Sequence, residues 1–152
     1  MIHLLENANE EVASDIFNVF QQAYKVESQL IGAVDFPPLS RSTKDITSSK
    51  TLFYGFHYDA YLAAVIEISI NEKRLEIDSL TVDPNYFRKG IAGRLIQYVL
   101  DTFEYSEAVV ETAVMNEPAI ILYKNHGFVE YKRWIPSHGI PKIAMLFKPS
   151  DS

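Results

Sequence analysis

The sequence contains no cysteine among its 152 residues. Without cysteine the protein cannot use a disulfide framework, a thiolate metal site or a cysteine nucleophile. The chain also lacks any apolar run of the roughly 20 residues that a membrane-spanning helix needs. Its start, Met1-Ile2-His3, is unlike that of a signal peptide. These absences predict a cytoplasmic domain that has no membrane partner.

Positive charge is also scarce, with 14 Lys and Arg against 20 Asp and Glu, a formal net charge of −6. Nucleic-acid binding rests on a cationic surface, so the balance argues against a nucleic-acid partner. The charge is unevenly spread: residues 1–84 hold 6 basic and 13 acidic side chains, whereas residues 85–152 hold 8 and 7. The second part contains a cluster of three positive charges, Arg88, Lys89 and Arg94.

No internal repeat, low-complexity tract or linker divides the chain, so residues 1–152 are predicted to form one domain. A helix capped by Asn7 or Asn9 follows a first short strand, because Val12, Ile16 and Phe20 recur at helical spacing. A polar, short helix is expected over 40–50, and three strands joined by Asp or Asn turns form an antiparallel meander. Later helices are expected at 91–103 and 117–125. The predicted strands are 3–5, 51–57, 61–70, 75–82, 108–113, 128–134 and 143–147, which gives a mixed α+β sheet.

The segment after the third meander strand carries the strongest local signal. The strand ends at Asp83-Pro84, and a helix with glycines at its start follows a short loop. Free backbone N–H groups and the positive end of the helix dipole form an anion site there, suited to a phosphate or pyrophosphate. Gly90 and Gly93 allow close approach of another group. The spacing matches neither the P-loop nor the dinucleotide-binding pattern, and an ordinary helix start is the alternative.

Two motifs in this second half resemble a known family. The run Leu80-Thr81-Val82-Asp83-Pro84 followed by Arg88-Lys89-Gly90-Ile91-Ala92 is similar to motif A of the GNAT superfamily of acetyl-CoA-dependent N-acetyltransferases. Residues 116–128, with Asn116, Ala119, Leu122-Tyr123 and Gly127-Phe128 in register, resemble its motif B. The resemblance implies a three-layer fold: a mostly antiparallel, twisted sheet of about six or seven strands flanked by helices.

The resemblance also implies where acetyl-CoA binds as a co-substrate. The pantetheine arm would follow the strand at Leu80, Thr81 and Val82, and the Leu80 N–H could polarise the thioester carbonyl. Phe87 stands where the family's pyrophosphate loop usually has Gln or Arg, so this position offers a backbone N–H group but no polar side chain. The implied cofactor-binding residues are Leu80, Thr81, Val82, Phe87, Arg88, Lys89, Gly90, Ile91, Ala92, Gly93, Asn116 and Tyr123.

Tyr123 matches the family's general acid, which protonates the coenzyme A thiolate. A phenol has an ordinary pKa near 10 and a thiol near 8.5, so the transfer is uphill but feasible within a hydrogen-bonded pair. The alternative is that Tyr123 only packs on its helix. Asn116 is expected to bind the pantetheine, to cap the helix, or both. The chain has no Gly-x-Ser-x-Gly elbow, so direct attack by the amine is the simplest reaction.

The general base is less well defined. Glu76 and Asp78 alternate onto one strand face, and Glu76 matches a glutamate of histone-type family members. Glu111 matches a glutamate of enzymes that acetylate ribosomal-protein N-termini. All three could be ordinary surface carboxylates, and His57 is a fourth, more often structural, candidate. The histidines lack the spacing of metal ligands, so no metal is expected.

We expect the acceptor to be an amine-bearing small molecule or peptide, with a positive charge that suits the acidic N-terminal half. An aromatic run in that half either fills the core or lines the acceptor pocket: Phe53, Tyr54, Phe56, Tyr58 and Tyr61. Residues 134–141 could form a lid. The alternative to an enzyme is a non-catalytic acyl-CoA-binding or sensor module on the same fold. A C-terminal edge strand is compatible with a homodimer.

Overall fold

The computed structural model describes residues 1–150 as a mixed seven-stranded sheet flanked by helices. The helices are α1 (Glu10–Ile31), α2 (Thr43–Thr47), α3 (Ile91–Thr102) and α4 (Glu117–Asn125). Two 3-10 turns, Pro37–Ser40 and Pro84–Tyr86, lie between them. The strands are β1 (Ile2–Leu5), β2 (Leu52–Tyr58), β3 (Tyr61–Asn71), β4 (Arg74–Val82), β5 (Glu107–Ala113), β6 (Val129–Trp134) and β7 (Lys142–Phe147).

The strands are ordered β1-β2-β3-β4-β5-β7-β6. Only β4 and β5 pair in parallel, because α3 connects them, and the remaining neighbours are antiparallel. The predicted meander, the mostly antiparallel α+β sheet and its flanking helices are therefore confirmed. Within residues 1–150 no helix has both the length and the apolar composition to cross a membrane.

Two apolar clusters cover the two faces of the sheet. One contains the buried side of α3, Tyr123 of α4, and alternate β3 residues including Ile66 and Ile68. The other contains the buried side of α1, Ile46 of α2, and Val65, which lies between Ala64 and Ile66 of the first cluster in sequence. Because successive strand side chains point to opposite faces, this alternation places α1 and α2 on one face and α3 and α4 on the other. The three-layer arrangement is as expected.

Helix α1 begins where the sequence indicates. Of the two predicted caps, Asn9 is the N-cap, and its side chain accepts from the N–H groups of Glu11 and Val12. Asn7 instead donates to Ile46 O at 2.8 Å and ties α2 to the start of α1. Within the polar segment 40–50, the helix α2 is shorter than expected and covers only Thr43–Thr47. A 3-10 turn that begins with Pro37 and Pro38 precedes it.

A β-bulge interrupts the pairing of β3 with β4. Glu67 lies opposite Ser79 and Ile68 lies opposite Ile77, so Asp78 is an extra residue without a partner on β3. The extra residue changes the side-chain alternation, and both Ile77 and Leu80 face the cluster beneath α3. Asp78 and Ser79 consequently share the opposite face of β4, toward α1. The sequence pattern alone does not reveal this change of register.

On that face lies a buried ion pair. Glu67 is 3% exposed, and its carboxylate accepts from both Arg41 nitrogens at 2.6 and 2.9 Å. The hydroxyls of Thr51 and Ser79 also donate to it, at 2.6 and 2.9 Å. Burial by itself raises the pKa of Glu67, but the Arg41 and hydroxyl hydrogen bonds outweigh it and hold the pKa below its ordinary value. The pair fixes the segment before α2 to the centre of the sheet.

Arg41→Met should lower the free energy of unfolding by about 3–5 kcal/mol, because it leaves the buried Glu67 carboxylate without its counter-charge. The exposed Arg133→Met, which breaks the surface pair with Glu130, should have no measurable effect. A group with a lowered folded-state pKa stabilises the fold above its unfolded pKa, about 4.3 for Glu. The stabilisation from the pair should therefore begin to fall below about pH 4.3 and disappear as the pH passes through the lower pKa of Glu67 in the folded state. Urea titrations of the wild type and both variants from pH 7 to 3 measure the free energy of unfolding. Equal stabilities of Arg41→Met and the wild type at pH 7 would contradict the prediction.

Candidate functional site

The parallel strands β4 and β5 separate at the centre of the sheet. They pair only from Arg74 opposite Glu107 to Ile77 opposite Val110. Beyond these four pairs, residues 78–80 of β4 and 111–113 of β5 line opposite sides of a cavity of about 560 Å³. The strands still pair with β3 and β7 on their outer sides. The sheet therefore offers an opening with unpaired backbone groups along it.

Four other parts of the chain complete the walls of this cavity. Tyr24 and Glu27 of α1 lie on one side, and Asn116, Ala119 and Tyr123 of α4 on another. The remaining walls come from residues 36–45, which lead into α2, and from residues 138–142, which lead into β7: Phe36, Pro37, Pro38, Ser40, Arg41, Asp45, His138, Ile140 and Lys142. The loop expected to act as a lid thus contributes to the cavity.

The start of α3 has the backbone geometry of an anion site. Arg88 and Gly90 both have positive φ, 65° and 72°, a conformation that glycine adopts without strain. The first N–H of this turn with an acceptor inside the helix is that of Arg94, which donates to Gly90 O at 3.2 Å. The preceding N–H groups at the helix start are left for another partner, as the sequence predicts.

The cations beside this loop are held on aromatic rings. Lys89 Nζ lies 5.0 Å from the centroid of Tyr58, and the Arg94 guanidinium lies 4.9 Å from that of Phe56. Phe87 is 45% exposed and brings no polar side-chain atom. A Cβ at Gly93 would lie 3.2 Å from His126 Nε2. The close approach at Gly93 is therefore the packing of α3 on α4.

Of the three residues predicted to bind pantetheine on β4, only Leu80 lines the cavity. Thr81 is 3% exposed, and its hydroxyl donates to Val65 O of the neighbouring strand β3 at 3.4 Å. Its side chain is therefore not available to a ligand. Val82 packs against the cluster beneath α3, as does Ile91 from the helix start. Thr81, Val82 and Ile91 could thus contribute to a ligand site only through their backbones, whereas Ala92 is half-buried at the helix start.

Tyr123 and Asn116 meet at the α4 side of the cavity. Tyr123 is 4% exposed and packs edge-on against Phe128, with ring centroids 5.5 Å apart. Burial, followed by the nearby Tyr24 and Glu27, raises the pKa of Tyr123 well above its ordinary value. The phenol therefore keeps its proton at neutral pH. Asn116 accepts from the Ala119 N–H at 3.3 Å as the N-cap of α4 and also lines the cavity.

The three carboxylates considered as bases differ in their surroundings. Glu76 lies 3.9 Å from Arg74 and lines a smaller neighbouring cleft but not the main cavity. Glu111 lines the cavity but is paired with Lys142 at 3.3 Å. Asp78 lines both spaces and forms no salt bridge within residues 1–150. Desolvation within the cleft, reinforced by Glu67 and Glu76, raises the pKa of Asp78 to about 6.

Of the two interpretations of the aromatic run, the structure supports core packing for Phe53, Tyr54 and Phe56. Phe53 and Phe56 are core residues at 0% and 2% exposure, and Tyr54 packs on Tyr98 and Phe103 of α3 and the turn after it. None of the five lines the main cavity. Phe53, Tyr54 and Phe56 follow the sheet pleat into the two clusters, whereas Tyr58 and Tyr61 are exposed. His57 stacks on His3 with centroids 4.6 Å apart and lines a separate cavity, away from the candidate site.

Sequence reasoning missed Tyr24 and Glu27. The signal was present, because Ala13, Ile16 and Phe20 form the buried side of α1 and Tyr24 and Glu27 continue the same spacing. A carboxylate on the buried side of a helix is unusual and indicates a cavity. Burial raises the pKa of Glu27, while Asn116 and Lys142 oppose the shift.

The chain matches the model of the acetyltransferase (GNAT) family over residues 14–128, and it therefore belongs to that family. A curated relative, UPF0157 protein YqkA from Bacillus subtilis (strain 168), is 38% identical over 129 residues, 84% of this chain. The chain spans only 38% of the length of that protein. No group of three or more His, Asp or Glu side chains within residues 1–150 is arranged to hold a metal ion.

Solved structures share the fold over nearly the whole chain. The ribosomal-protein-S18-alanine N-acetyltransferase from Escherichia coli superimposes with a TM-score of 0.78 at 21% identity, covering 100% of this chain and 95% of that one. The paia N-acetyltransferase from Thermoplasma acidophilum, in complex with coenzyme A, has a TM-score of 0.73 at 17% identity, with 98% and 99% covered. The expected GNAT fold is confirmed.

The Asp78 carboxyl should titrate near pH 6 instead of the ordinary value of about 3.9. Glu76→Gln should lower this midpoint, because it removes one of the negative charges that disfavour the ionised form. Carbon-detected NMR of the Asp side chains, assigned with Asp78→Asn, follows both. A midpoint at or below 4 in the wild-type protein would show that the cleft does not desolvate Asp78.

Proposed function

We propose that this protein is an N-acetyltransferase that moves the acetyl group of acetyl-CoA directly to the primary amine of an acceptor. The observation that carries the proposal is the opening between β4 and β5, with the buried Tyr123 in its wall. Membership of the GNAT family supports it, as does the coenzyme A in the Thermoplasma relative of the same fold.

The start of α3 and the unpaired edge of β4 offer groups that suit acetyl-CoA. The free N–H groups at the start of α3 suit the pyrophosphate, and Lys89 and Arg94 provide positive charge there. The unpaired edge of β4 near Leu80 suits the amide groups of the pantetheine arm, and a backbone N–H there would polarise the thioester carbonyl. Bound acetyl-CoA supplies an activated acyl group, and the protein supplies position and proton transfer.

Direct transfer is the chemistry that this chain can support. The absence of cysteine excludes an acyl-cysteine enzyme. An amine of ordinary pKa near 10.4 must lose a proton before it attacks. Asp78 is the best placed of the three predicted bases, because it lines the cavity, forms no salt bridge within residues 1–150 and has a pKa of about 6. Glu76 and Glu111 are better explained as members of surface ion pairs.

Tyr123 is the acid in this proposal. Its position beside Ala119 and Asn116 places it on the α4 side of the opening, opposite the acceptor walls of α1. Its raised pKa keeps the phenol protonated until a thiolate leaves. Phe87 favours a second candidate function, a non-catalytic acyl-CoA sensor, because the pyrophosphate loop lacks a polar side chain at this exposed position.

Tyr123→Phe should lower kcat by about 100-fold or more, because it removes the proton donor for the leaving thiolate. Binding of acetyl-CoA should stay within about twofold of wild type, since the ring and its packing on Phe128 remain. Free-thiol release gives kcat, and calorimetry gives the acetyl-CoA affinity. Tyr61→Phe is the matched control, because Tyr61 is 69% exposed and lies outside the cavity. Unchanged turnover in Tyr123→Phe would remove this residue from the mechanism.

The pH profile of kcat/KM should lose activity below about pH 6 as Asp78 takes up a proton and can no longer act as a base. Asp78→Asn should lower kcat/KM and abolish that acidic limb.

An amine panel monitored by thiol release supplies the acceptor for the measurement. Turnover only with acidic amines would contradict a cationic acceptor, and acetyl-CoA binding without any turnover would favour the sensor.

A further inference from the structure

We propose that Tyr24, Glu27 and Ser79 form an acceptor-binding wall that holds the reacting amine as an ammonium ion, with its hydrogen-bonding direction fixed by the buried Glu67–Arg41 pair. All three residues line the main cavity on the α1 side. The inference rests on the proposed function. It adds the residues that recognise the acceptor and the protonation state in which the acceptor binds.

Glu67 determines which groups of this wall donate hydrogen bonds and which accept them. Its ionised carboxylate can only accept hydrogen bonds, and it receives them from Arg41, Thr51 and Ser79. A serine hydroxyl has one hydrogen, and that of Ser79 is used in the 2.9 Å bond to Glu67. Ser79 therefore presents only oxygen lone pairs to the cavity. The bulge at Asp78 is what turns Ser79 to this face.

Tyr24 adds a second hydroxyl oxygen to this wall. Its side chain lines the cavity together with Ser79 and Glu27. A phenol oxygen can accept a hydrogen bond, so Tyr24 offers an acceptor to a donor in the cavity. Burial, followed by Glu27, raises the pKa of Tyr24 above its ordinary value, so the hydroxyl keeps its hydrogen.

Glu27 adds the charge. It lies one helical turn after Tyr24 on the same side of α1, and no salt bridge within residues 1–150 includes it. Lys142 is the nearby cation, but it is paired with Glu111. Arg41 is similarly paired with Glu67. The cavity thus keeps an unneutralised carboxylate on α1, with Asp78 as a second one on β4.

The complement of this wall is a group with three donors and no acceptor. A primary ammonium has three N–H bonds, and the wall offers a carboxylate and two hydroxyl oxygens. A carboxylate or carbonyl on the acceptor would meet only lone pairs there. Charge-assisted hydrogen bonds of this kind contribute more than neutral ones. The wall therefore selects a cationic amine and disfavours acceptors with an acid group next to it.

Acetyl transfer then proceeds in a balanced sequence. One N–H bond of the ammonium breaks, its proton goes to Asp78, and the electron pair stays on nitrogen. The nitrogen forms a bond to the acetyl carbon while the carbon–sulfur bond breaks. Tyr123 gives its proton to sulfur, and the second N–H proton released from nitrogen restores the phenol. Asp78 returns its proton to water, so the products are an acetylated amine, a thiol and one proton.

The first test is kinetic, with the amine of highest turnover in the panel. Glu27→Gln and Ser79→Ala should each raise KM for the amine by about 10- to 100-fold, the range of a lost charge-assisted hydrogen bond. The KM for acetyl-CoA should not change. Ser79→Thr, which keeps the hydroxyl, should restore most of the amine affinity. Glu10→Gln removes the same charge from an exposed site on α1 and should behave as wild type. Equal losses for both substrates would overturn the proposal.

The second test measures binding without turnover, so that it holds even if no amine is acetylated. The 15N-labelled protein is saturated with coenzyme A and titrated with n-propylammonium or with n-propanol, an uncharged molecule of the same size. The ammonium should shift the amide signals of Tyr24, Glu27 and Ser79 in the wild type and not in Glu27→Gln, and n-propanol should not shift them. Equal shifts with both probes, or none, would overturn the wall. Absence of thiol release with the ammonium shifts intact would instead overturn the proposed transferase function.

Discussion

The separation of β4 from β5 is the constraint on which the rest of this molecule depends. A parallel pair normally continues as far as both strands extend, but here it stops after Ile77 and Val110. The bulge at Asp78 changes the register of β4 at that point, and the outer partners β3 and β7 hold the two strands apart. The opening reaches from Tyr123 of α4 to Tyr24 and Glu27 of α1. In the proposed function, β4 therefore serves acetyl-CoA and the acceptor amine from opposite sides of the sheet.

The buried Glu67–Arg41 pair connects this opening to the acceptor side. Ion pairs taken out of water contribute little net stability compared with apolar packing, although breaking one is costly. Its position here gives it another consequence, because it determines how the Ser79 hydroxyl is oriented. Arg41 also lies 5.6 Å from the ring centroids of both Phe20 and Phe53, so the pair is packed into the core beneath α1. The polarity of the cavity wall and the stability of the fold thus share one set of contacts.

The sequence predicted the elements well, because hydrophobic spacing and turn residues are local. It placed α4 at Glu117–Asn125, as observed, and most strands to within a residue or two. It also identified Tyr123 and Asp78, which line the cavity. It could not predict the bulge, since Ile77, Asp78 and Ser79 read as ordinary alternation. For the same reason the roles of Ser79 and Glu67 were hidden. The sequence also left open whether the aromatic run fills the core or lines the pocket, which Tyr24, Phe36 and Tyr123 line instead.

In the proposed reaction, an acetyl group passes from acetyl-CoA to an amine at this opening. Mass spectrometry with acetyl-CoA labelled by deuterium in the acetyl group tests it most directly, using a mixture of cationic primary amines. We expect the label to appear on an amine in an amount equal to the thiol released, with no labelled free acetate beyond the uncatalysed level. Thiol release with labelled acetate as the only product, or no consumption of acetyl-CoA with any amine, would contradict it.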